Sequence, residues 1–233
     1  MTLRTCIFDA YGTLFDVAGA ARQAASTTGG QALAQSWPQL AERWRAKQLE
    51  YTWLRAITGA HTDFWQVTQD SLDWSLEALK LSGDEALRSQ LLDLYRTLPA
   101  YPEVPALLQT LNDMGVRCAI LSNGSLPMLE DAVNSAGIAH LLDSLISVEE
   151  AGVYKPDYAV YDLVGAHYDT NPLDVLFVSS NGWDAAGAAG YGFNTLWVNR
   201  MGVPVDRMPW RPRFISNDLT IITELLEKSD APL

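Results

Sequence analysis

The chain has 233 residues, of which 48% are hydrophobic and 19% are charged, and its formal net charge at pH 7 is −12. This length suits one sizeable domain, or a core domain with a smaller one inserted into it. Such an acidic chain is a poor match for nucleic acid or an anionic membrane surface, because both are bound through clustered Lys and Arg.

The first predicted element is a β-strand over residues 4–8, which contains the apolar run TCIF. It leads directly into Asp9 and a Tyr-Gly-Thr turn, so a carboxylate follows a strand that is expected to be buried. Burying a charge is costly unless the group has partners or a function. Asp9 is therefore the first candidate functional residue, and a turn-forming aspartate is the alternative.

Residues 18–98 show a helical pattern without a convincing strand. Within WPQLAERWRAKQLEYTWLRAIT, apolar residues recur roughly as one helical face requires. These residues are Leu40, Trp44, Leu49 and Trp53. Pro99 and Pro102 then interrupt the pattern.

After Pro102, strands and helices alternate. Strands are predicted in VRCAILSNG, LLDSLISVEE, DVLFVSSNGWD and NTLWVN, which is the last clear strand. Helices are predicted in PMLEDAVNSAG, which Gly137 ends, in PDYAVYDLVGAHY, which Pro156 and Asp157 begin, and in AAGAAGYG. This alternation predicts an α/β fold with a parallel sheet and helices on both faces.

Ligands of such sheets bind beyond the carboxyl ends of the strands. The residues at or near those ends are Asp9, Ser122, Asn123, Lys155 and the run 179–184. Because the helical stretch falls between the first strand and the rest, we predict that it forms a cap over these ends. The predicted core domain comprises residues 1–17 and 99–233, and the predicted cap comprises residues 18–98.

The cellular location is predicted to be the cytoplasm. The opening sequence MTLRTCIFDAYG lacks the long apolar core of a signal peptide, and no run approaches the roughly 20 apolar residues that span a bilayer. The two cysteines, Cys6 and Cys118, each lie in an apolar run and are expected to be reduced and buried.

Four motifs, FDAYGTLFD, LSNGS, VYKPD and FVSSNGWD, occur in this order, and WRAKQLEYTWLR lies in the helical stretch. Together they resemble the haloacid dehalogenase superfamily, and more narrowly its L-2-haloacid dehalogenases, over almost the whole chain. The resemblance implies a Rossmann-like core with an inserted all-helical cap. It also implies a homodimer, a small anionic 2-haloacid as substrate, and no cofactor.

Two positions distinguish the chain from the phosphatases that the superfamily also contains. Those enzymes use a second aspartate, two residues after the first, to protonate the leaving alcohol, and an acidic residue of the last motif helps to hold Mg²⁺. Tyr11 and Ser180 stand at these positions here, and hydroxyls replace carboxylates poorly as Mg²⁺ ligands. A halide leaves as a stable anion without a proton, so we predict displacement at carbon without a metal.

The resemblance implies that Asp9 is the nucleophile and that Thr13 orients it. Attack on the halogen-bearing carbon gives an ester and free halide, and water then hydrolyses the ester, so that two easier steps replace one hard substitution. Because the first step inverts the carbon, a short (S)-2-haloalkanoic acid is expected to yield an (R)-2-hydroxy acid.

Arg45 falls on the position that receives the departing halide in the family, together with Asn123 and Phe64. A guanidinium is always charged and weakly hydrated, which suits a halide in a dry pocket. Spacing alone does not distinguish Arg45 from Arg43 or Lys47, and a solvated helix charge is the alternative.

The substrate carboxylate is expected to be held by Ser122 and by the backbone amides of Ala10 and Tyr11, since amides in a turn bind anions. Leu49 and Trp183 are expected to wall the pocket. Without the resemblance, Ser122 lies in an ordinary turn and the two wall residues are equally well explained as packing residues.

Lys155 is implied to lie between Asp9 and Asp184, whose carboxylates would otherwise repel each other. Tyr161 is implied to steady this lysine, with a core aromatic as the alternative. Asp184 is the candidate that activates the hydrolytic water, directly or through Lys155. The residues implied to position the water and the ester carbonyl are Ser179 and Asn181.

Two other functions are compatible with the same fold. The first is a Mg²⁺-dependent phosphatase or phosphonatase, against which Tyr11 and Ser180 count. The second is a catalytically inactive binding protein, which is hard to reconcile with the complete set Asp9, Arg45, Lys155 and Asp184. The three histidines match no motif and are left out of catalysis.

Overall fold

The computed structural model describes residues 3–26 and 33–230. Within these residues, six strands form one sheet in the order β3-β2-β1-β4-β5-β6, and every neighbouring pair is parallel. The strands are β1 (Thr5–Phe8), β2 (Arg117–Ser122), β3 (Ser144–Ser147), β4 (Val175–Ser179), β5 (Asn194–Val198) and β6 (Phe214–Ser216). The predicted α/β class with a parallel sheet is confirmed.

Nine α-helices occur in the described part of the chain. They are α1 (Gly19–Ser26), α2 (Trp37–Thr58), α3 (Phe64–Ala78), α4 (Glu85–Arg96), α5 (Val104–Asp113), α6 (Leu126–Ser135), α7 (Tyr158–Tyr168), α8 (Gly182–Tyr191) and α9 (Ile222–Asp230). Helices α1 to α4, called the helical segment below, all fall within the predicted stretch 18–98. The division of the chain into a core and a cap domain stays a prediction.

Strand β1 lies inside the sheet, between β2 and β4, and all four of its residues are buried. A continuous apolar run of this kind is typical of a parallel strand that is covered on both faces. Phe8 is in register with Ile120 of β2 and with Val178 of β4, and the Asp9 amide donates to the Val178 carbonyl at 2.8 Å. Asp9 is thereby fixed where three strands end side by side.

The buried face of α2 differs in part from the predicted one. Leu40 and Trp44 are buried as expected, but the buried stripe continues through the polar residues Gln48 and Thr52. Leu49 and Trp53, which the sequence placed on this face, are only half-buried. The buried residues are spaced four apart, from Leu40 to Thr52. Leu49 and Trp53 each come one residue after a member of this stripe and so lie beside it. Sequence patterning missed this stripe because two of its members are polar and satisfy their hydrogen bonds inside the protein.

Two helix boundaries follow the predicted signals. Helix α7 begins at Tyr158 because the Asp157 carboxylate accepts a hydrogen bond from the Ala159 amide at 2.9 Å. Helix α6 ends at Ser135, and Gly137, with a φ of +70°, follows the C-cap residue Ala136. Caps of this type satisfy backbone groups that have no partner within the helix.

Strand β6 is an element that the sequence prediction missed, so NTLWVN is not the last strand. Its three residues pair with β5 at the edge of the sheet, in register from Phe214 to Leu196. None of the three is fully buried. A strand this short and partly exposed contains no apolar run by which it could be recognised in the sequence.

The two cysteines are free and buried, as predicted, and Cys6 of β1 is in register with Cys118 of β2. Among the described residues, no helix combines the length and the apolar character needed to cross a membrane.

Candidate active site

Asp9 lies at the carboxyl end of β1 with 6% of its surface exposed. Three side chains donate hydrogen bonds to its carboxylate. Thr13 Oγ1 (3.0 Å) and Asn181 Nδ2 (2.9 Å) donate to Oδ2, and Lys155 Nζ (3.2 Å) donates to Oδ1. These contacts hold the carboxylate in one orientation, which is what a nucleophile in an ordered site requires.

The turn after Asp9 is tight and is tied to the loop that follows β4. The Ala10 carbonyl accepts hydrogen bonds from three amides, of which that of Leu14 is the closest at 2.9 Å. Thr13 Oγ1 accepts from the Ser180 amide at 2.8 Å. The first and last predicted motifs therefore meet through the Thr13 side chain.

Helix α2 brings Arg45 over this edge of the sheet. Its Nη2 atom donates to the Tyr11 carbonyl and to Asn181 Oδ1, both at 3.2 Å. Asn181 thus bridges Asp9 and Arg45 with its two amide atoms. Arg43 is exposed, and Lys47 donates to Glu50 instead. The structure therefore selects Arg45 among the three cations that spacing could not separate.

Lys155 lies between two carboxylates, as predicted. Its ammonium is 3.2 Å from Asp9 Oδ1 and 2.9 Å from Asp184 Oδ2, and all three groups are buried. Burial alone would lower the pKa of Lys155, but the carboxylates of Asp184 and Asp9 outweigh it and hold that pKa above its ordinary value. The Lys155 ammonium therefore stays charged and offsets one of the two carboxylates.

The Tyr161 hydroxyl contacts a carboxylate that Lys155 also contacts. The Tyr161 hydroxyl donates to Asp184 Oδ1 at 2.8 Å, and Lys155 Nζ donates to Oδ2 of the same carboxylate at 2.9 Å. Tyr161 is thus linked to the lysine through the carboxylate that both contact, and its role of steadying Lys155 stays a prediction. Burial raises the pKa of Asp184, the Asp9 charge raises it further, and the Lys155 ammonium opposes both effects.

The site surrounds a small, narrow cavity. Ten predicted residues line it, namely Asp9, Tyr11, Arg45, Leu49, Phe64, Ser122, Asn123, Lys155, Asn181 and Trp183. The other five predicted residues lie outside this lining, and they are Ala10, Thr13, Tyr161, Ser179 and Asp184. The lining thus combines charged groups with the apolar side chains of Leu49, Phe64 and Trp183.

Ser122 and Asn123 lie at the end of β2 and face the same cavity. Ser122 Oγ accepts from the Gly124 amide at 3.0 Å, so its hydroxyl still has a proton to donate. Asn123 Oδ1 accepts from the Lys155 amide at 3.1 Å, which turns its NH₂ group away from that backbone. Each side chain can therefore donate a hydrogen bond to an anion in the cavity.

Tyr11 packs into the space between the sheet and the helical segment. Its ring stacks on Tyr95 at 5.5 Å and lies 5.8 Å from Phe64. A Cβ atom on Gly124 would lie 2.7 Å from the Tyr11 ring, so the glycine of the LSNGS motif makes room for this tyrosine. Burial raises the pKa of Tyr11 well above its ordinary value. Tyr11 is therefore a poor proton donor at the position where phosphatases have an acid.

Sequence reasoning missed three residues that support the site. Gln48 and Tyr95 lie behind Arg45, and the only sequence signal for Gln48 is its position one helical turn after that arginine. Arg200 follows β5, and its Nη2 atom donates to the Thr13 carbonyl at 2.9 Å. No motif includes Arg200, and no other pattern in the sequence points to it.

The residues beside Asp9 do not fit the Mg²⁺ ion of the superfamily's phosphatases. Mg²⁺ requires an octahedral set of oxygen ligands with carboxylates among them, and Ser180 offers only a hydroxyl. The carboxylates of Asp9 and Asp184 already share the Lys155 ammonium. Across residues 3–26 and 33–230, no three His, Cys, Asp or Glu side chains are grouped so as to hold a metal ion. No step proposed below passes through a metal.

Comparison with known proteins agrees with this geometry. The family model of the haloacid dehalogenase-like hydrolases matches residues 3–192. The chain belongs to this family, as its motifs predicted.

Three relatives describe its place within the family more closely. (S)-2-haloacid dehalogenase 1 of Pseudomonas sp. (strain CBS-3) is 44% identical over 202 residues, which are 87% of each chain. The crystal structure of a dehalogenase with an intermediate complex is 37% identical and aligns with a TM-score of 0.91 over 97% of each chain. The structure of L-2-haloacid dehalogenase from Xanthobacter autotrophicus with chloropropionic acid covalently bound is 33% identical. It aligns with a TM-score of 0.86 and covers 97% of this chain and 98% of the other.

Proposed function

We propose that the protein hydrolyses short (S)-2-haloalkanoic acids to (R)-2-hydroxy acids and halide, without a metal. The observation that carries the proposal is the setting of Asp9. Its carboxylate is fixed by three donors, and the residue two positions later is a buried tyrosine of raised pKa. This arrangement suits a leaving group that needs no proton. The names of the relatives support the substrate class.

In the first half-reaction, a carboxylate oxygen of Asp9 attacks the carbon that bears the halogen. The new C–O bond forms as the carbon–halogen bond breaks, and the bonding electrons leave with the halide. Arg45, Asn123 and Phe64 surround the departing ion, while the Ser122 hydroxyl holds the substrate carboxylate. Attack from the side opposite the halide inverts the carbon.

In the second half-reaction, water attacks Cγ of the Asp9 ester. The bond between Cγ and the bridging oxygen breaks, so the hydroxy acid leaves with an oxygen that Asp9 supplied. Asp184, held by Lys155 and Tyr161, takes a proton from the attacking water. The product alcohol is protonated as the ester bond breaks, and one proton is released to solvent in each turnover.

The local charge of the site suits an anionic substrate, although the chain as a whole does not. The chain has a net charge of −12, which repels small anions at long range. Within the site, the carboxylates of Asp9 and Asp184 are matched by the cations of Lys155 and Arg45. A monoanionic acid therefore meets a cavity without net negative charge, where hydrogen bonds to charged groups contribute roughly 1.5–3 kcal/mol each.

We also propose that the protein is a cytoplasmic homodimer. Free, buried thiols at Cys6 and Cys118 suit a reducing compartment. Large apolar side chains are exposed on α2, where 82% of the Ile57 surface is accessible, and after β5, where 85% of the Met201 surface is accessible. Exposed apolar surface of this kind is a feature of protein contact sites.

The proposal is tested by a halide-release assay on both enantiomers of 2-chloropropionate, with and without EDTA. We expect chloride from the (S)-enantiomer, no effect of EDTA, and no release by Asp9→Asn. The exposed aspartate Asp93 on α4 provides the matched control, because Asp93→Asn should leave release unchanged. Chelator-sensitive release of phosphate from an ester would instead identify a phosphatase, and no turnover of either substrate class would identify a binding protein.

A further inference from the structure

The guanidinium of Arg45 is held from two sides. Its Nη2 atom donates into the site, to the Tyr11 carbonyl and Asn181 Oδ1, both at 3.2 Å. Its Nη1 atom donates away from the site, to Gln48 Oε1 at 3.1 Å. One end of the group thus faces the nucleophile, and the other end is attached to a second residue of α2.

Gln48 is 1% exposed, and its amide is fully bonded inside the helical segment. Its Nε2 atom donates to Thr68 Oγ1 at 2.8 Å and to the Tyr95 hydroxyl at 3.1 Å. The same hydroxyl lies 3.2 Å from Gln48 Oε1. Buried side-chain amides with this many partners have little freedom to rotate.

The contacts also determine which way the amide points. Thr68 Oγ1 uses its proton on the Phe64 carbonyl at 2.7 Å, so toward Gln48 it can only accept. An arginine can only donate. Gln48 must therefore turn its NH₂ group to Thr68 and its oxygen to Arg45. The contacts at the two ends of the amide require the same orientation.

Three helices take part in this arrangement. Gln48 and Arg45 belong to α2, Thr68 belongs to α3, and Tyr95 belongs to α4. Tyr95 in turn stacks on Tyr11, whose carbonyl accepts from Arg45. The position of the guanidinium is thus linked to the packing of the helical segment around it.

We propose that Gln48 is a positioning residue, which holds the Arg45 guanidinium where it receives the departing halide. This inference rests on the proposed function. A flexible arginine needs such an anchor, because a misplacement of about 1 Å at a reacting centre can cost about 10²-fold in rate. The substrate carboxylate is bound elsewhere, by Ser122, so Gln48 should affect halide departure and leave substrate binding unchanged.

The test compares Gln48→Met, which keeps the size and removes the hydrogen bonds, with the wild-type enzyme. We expect kcat for (S)-2-chloropropionate to fall about 10- to 100-fold, with KM nearly unchanged. The fall in kcat should be larger with chloride than with bromide as leaving group. Chloride is the poorer leaving group, so its departure depends more on stabilisation by Arg45. Inhibition by added chloride or bromide should weaken as well. Gln66→Met, at an exposed position of α3, makes the same chemical change away from the site and should leave all of these quantities unchanged.

A second variant separates positioning from folding. Gln48→Glu retains an acceptor oxygen for Arg45 and should recover part of the kcat that Gln48→Met loses. If Gln48→Met does not fold, Tyr95→Phe, which removes only the hydroxyl that contacts Gln48, takes its place with the same expected dependence on leaving group.

Unchanged kcat in a folded Gln48→Met enzyme would overturn the inference, as would equal losses for both leaving groups. These outcomes are distinct from failure of the proposed function, in which the wild-type protein itself releases no halide.

Discussion

Asp184 and Lys155 illustrate how single residues set the chemistry of the site. Asp184 is fully buried, and its carboxylate accepts two hydrogen bonds. The donors are the Lys155 ammonium at 2.9 Å and the Tyr161 hydroxyl at 2.8 Å. Its pKa is raised by burial and by the nearby Asp9 charge, against the opposing effect of Lys155. A carboxylate of raised pKa is a better base near neutral pH than an exposed one.

The raised pKa of Asp184 predicts the acid side of the pH profile. In the ester intermediate Asp9 carries no charge, so burial, the largest cause, is what raises the pKa of Asp184 there. The ionised carboxylate is the active form, so hydrolysis of the ester is supported above the raised pKa and is lost as the pH falls through it. The loss should begin above the ordinary aspartate value of about 3.9. On the alkaline side, the raised pKa of Lys155 keeps the ammonium charged beyond the ordinary lysine value of about 10.4.

The measurement is the single-turnover rate of ester hydrolysis as a function of pH. Asp184→Asn is the informative control, because it should hydrolyse the ester slowly and without the acid limb. An acid limb at or below the ordinary aspartate pKa, or one that persists in Asp184→Asn, would contradict the assignment of Asp184 as the base.

At the scale of elements, helix α8 shows why its sequence is rich in small residues. It packs closely against the segment that contains Lys155 and against α7. A Cβ atom added at Gly187 would lie 2.7 Å from Pro156 Cβ and 2.9 Å from the Tyr161 hydroxyl oxygen. The absence of a side chain at Gly187 therefore lets Tyr161 approach Asp184, which lies on the first turn of the same helix.

Gly187→Ala should destabilise the protein by about 1–3 kcal/mol, as overpacking in a dense interior does. It should also lower kcat, because the Tyr161 hydroxyl must move. Gly165→Ala is the matched control, since a Cβ atom there has no neighbour within 4 Å on the exposed face of α7. That change should stabilise the helix by about 0.5–1 kcal/mol. Thermal unfolding with a parallel kcat measurement tests both, and equal stability of the two variants would contradict the packing argument.

The sheet-borne half of the site was predictable from sequence, and the half carried by the helical segment was less so. Asp9, Ser122 and Ser179 stand at the ends of adjacent parallel strands, and the alternation of strands and helices is enough to place them together. By contrast, nothing in the sequence states how α2, α3 and α4 are rotated against one another. For that reason Gln48 and Tyr95 were missed.

The motif resemblance supplied what periodicity could not. Arg45, Arg43 and Lys47 are equivalent on spacing grounds, and only the family pattern pointed to the one that the structure turns toward Asn181. The same pattern pointed to Tyr161, which bonds to Asp184 and is linked to Lys155 through that carboxylate. The resemblance thus identified members of the site, and the structure supplied the contacts between them.

At the scale of the whole molecule, the cavity depends on two parts of the chain that are far apart in sequence. The loops that follow strands of the sheet supply the nucleophile and its ammonium neighbour, and the helical segment supplies Arg45, Leu49 and Phe64. Both parts are also present in the relatives, which align over nearly the full chain. Covering the sheet edge in this way leaves Asp9 only 6% and Lys155 only 1% exposed, and low exposure to water strengthens the charged contact between them.

The central claim is that Asp9 becomes covalently attached to substrate through carbon, and isotope labelling tests it most directly. In ¹⁸O-water, with enzyme in excess over (S)-2-chloropropionate, a single turnover should leave the new hydroxyl oxygen of the product unlabelled. The ¹⁸O should appear by mass spectrometry in the peptide that contains Asp9 and not in the peptide that contains Asp184. A labelled product hydroxyl together with an unlabelled Asp9 would show that water attacks the substrate directly, and would contradict the account.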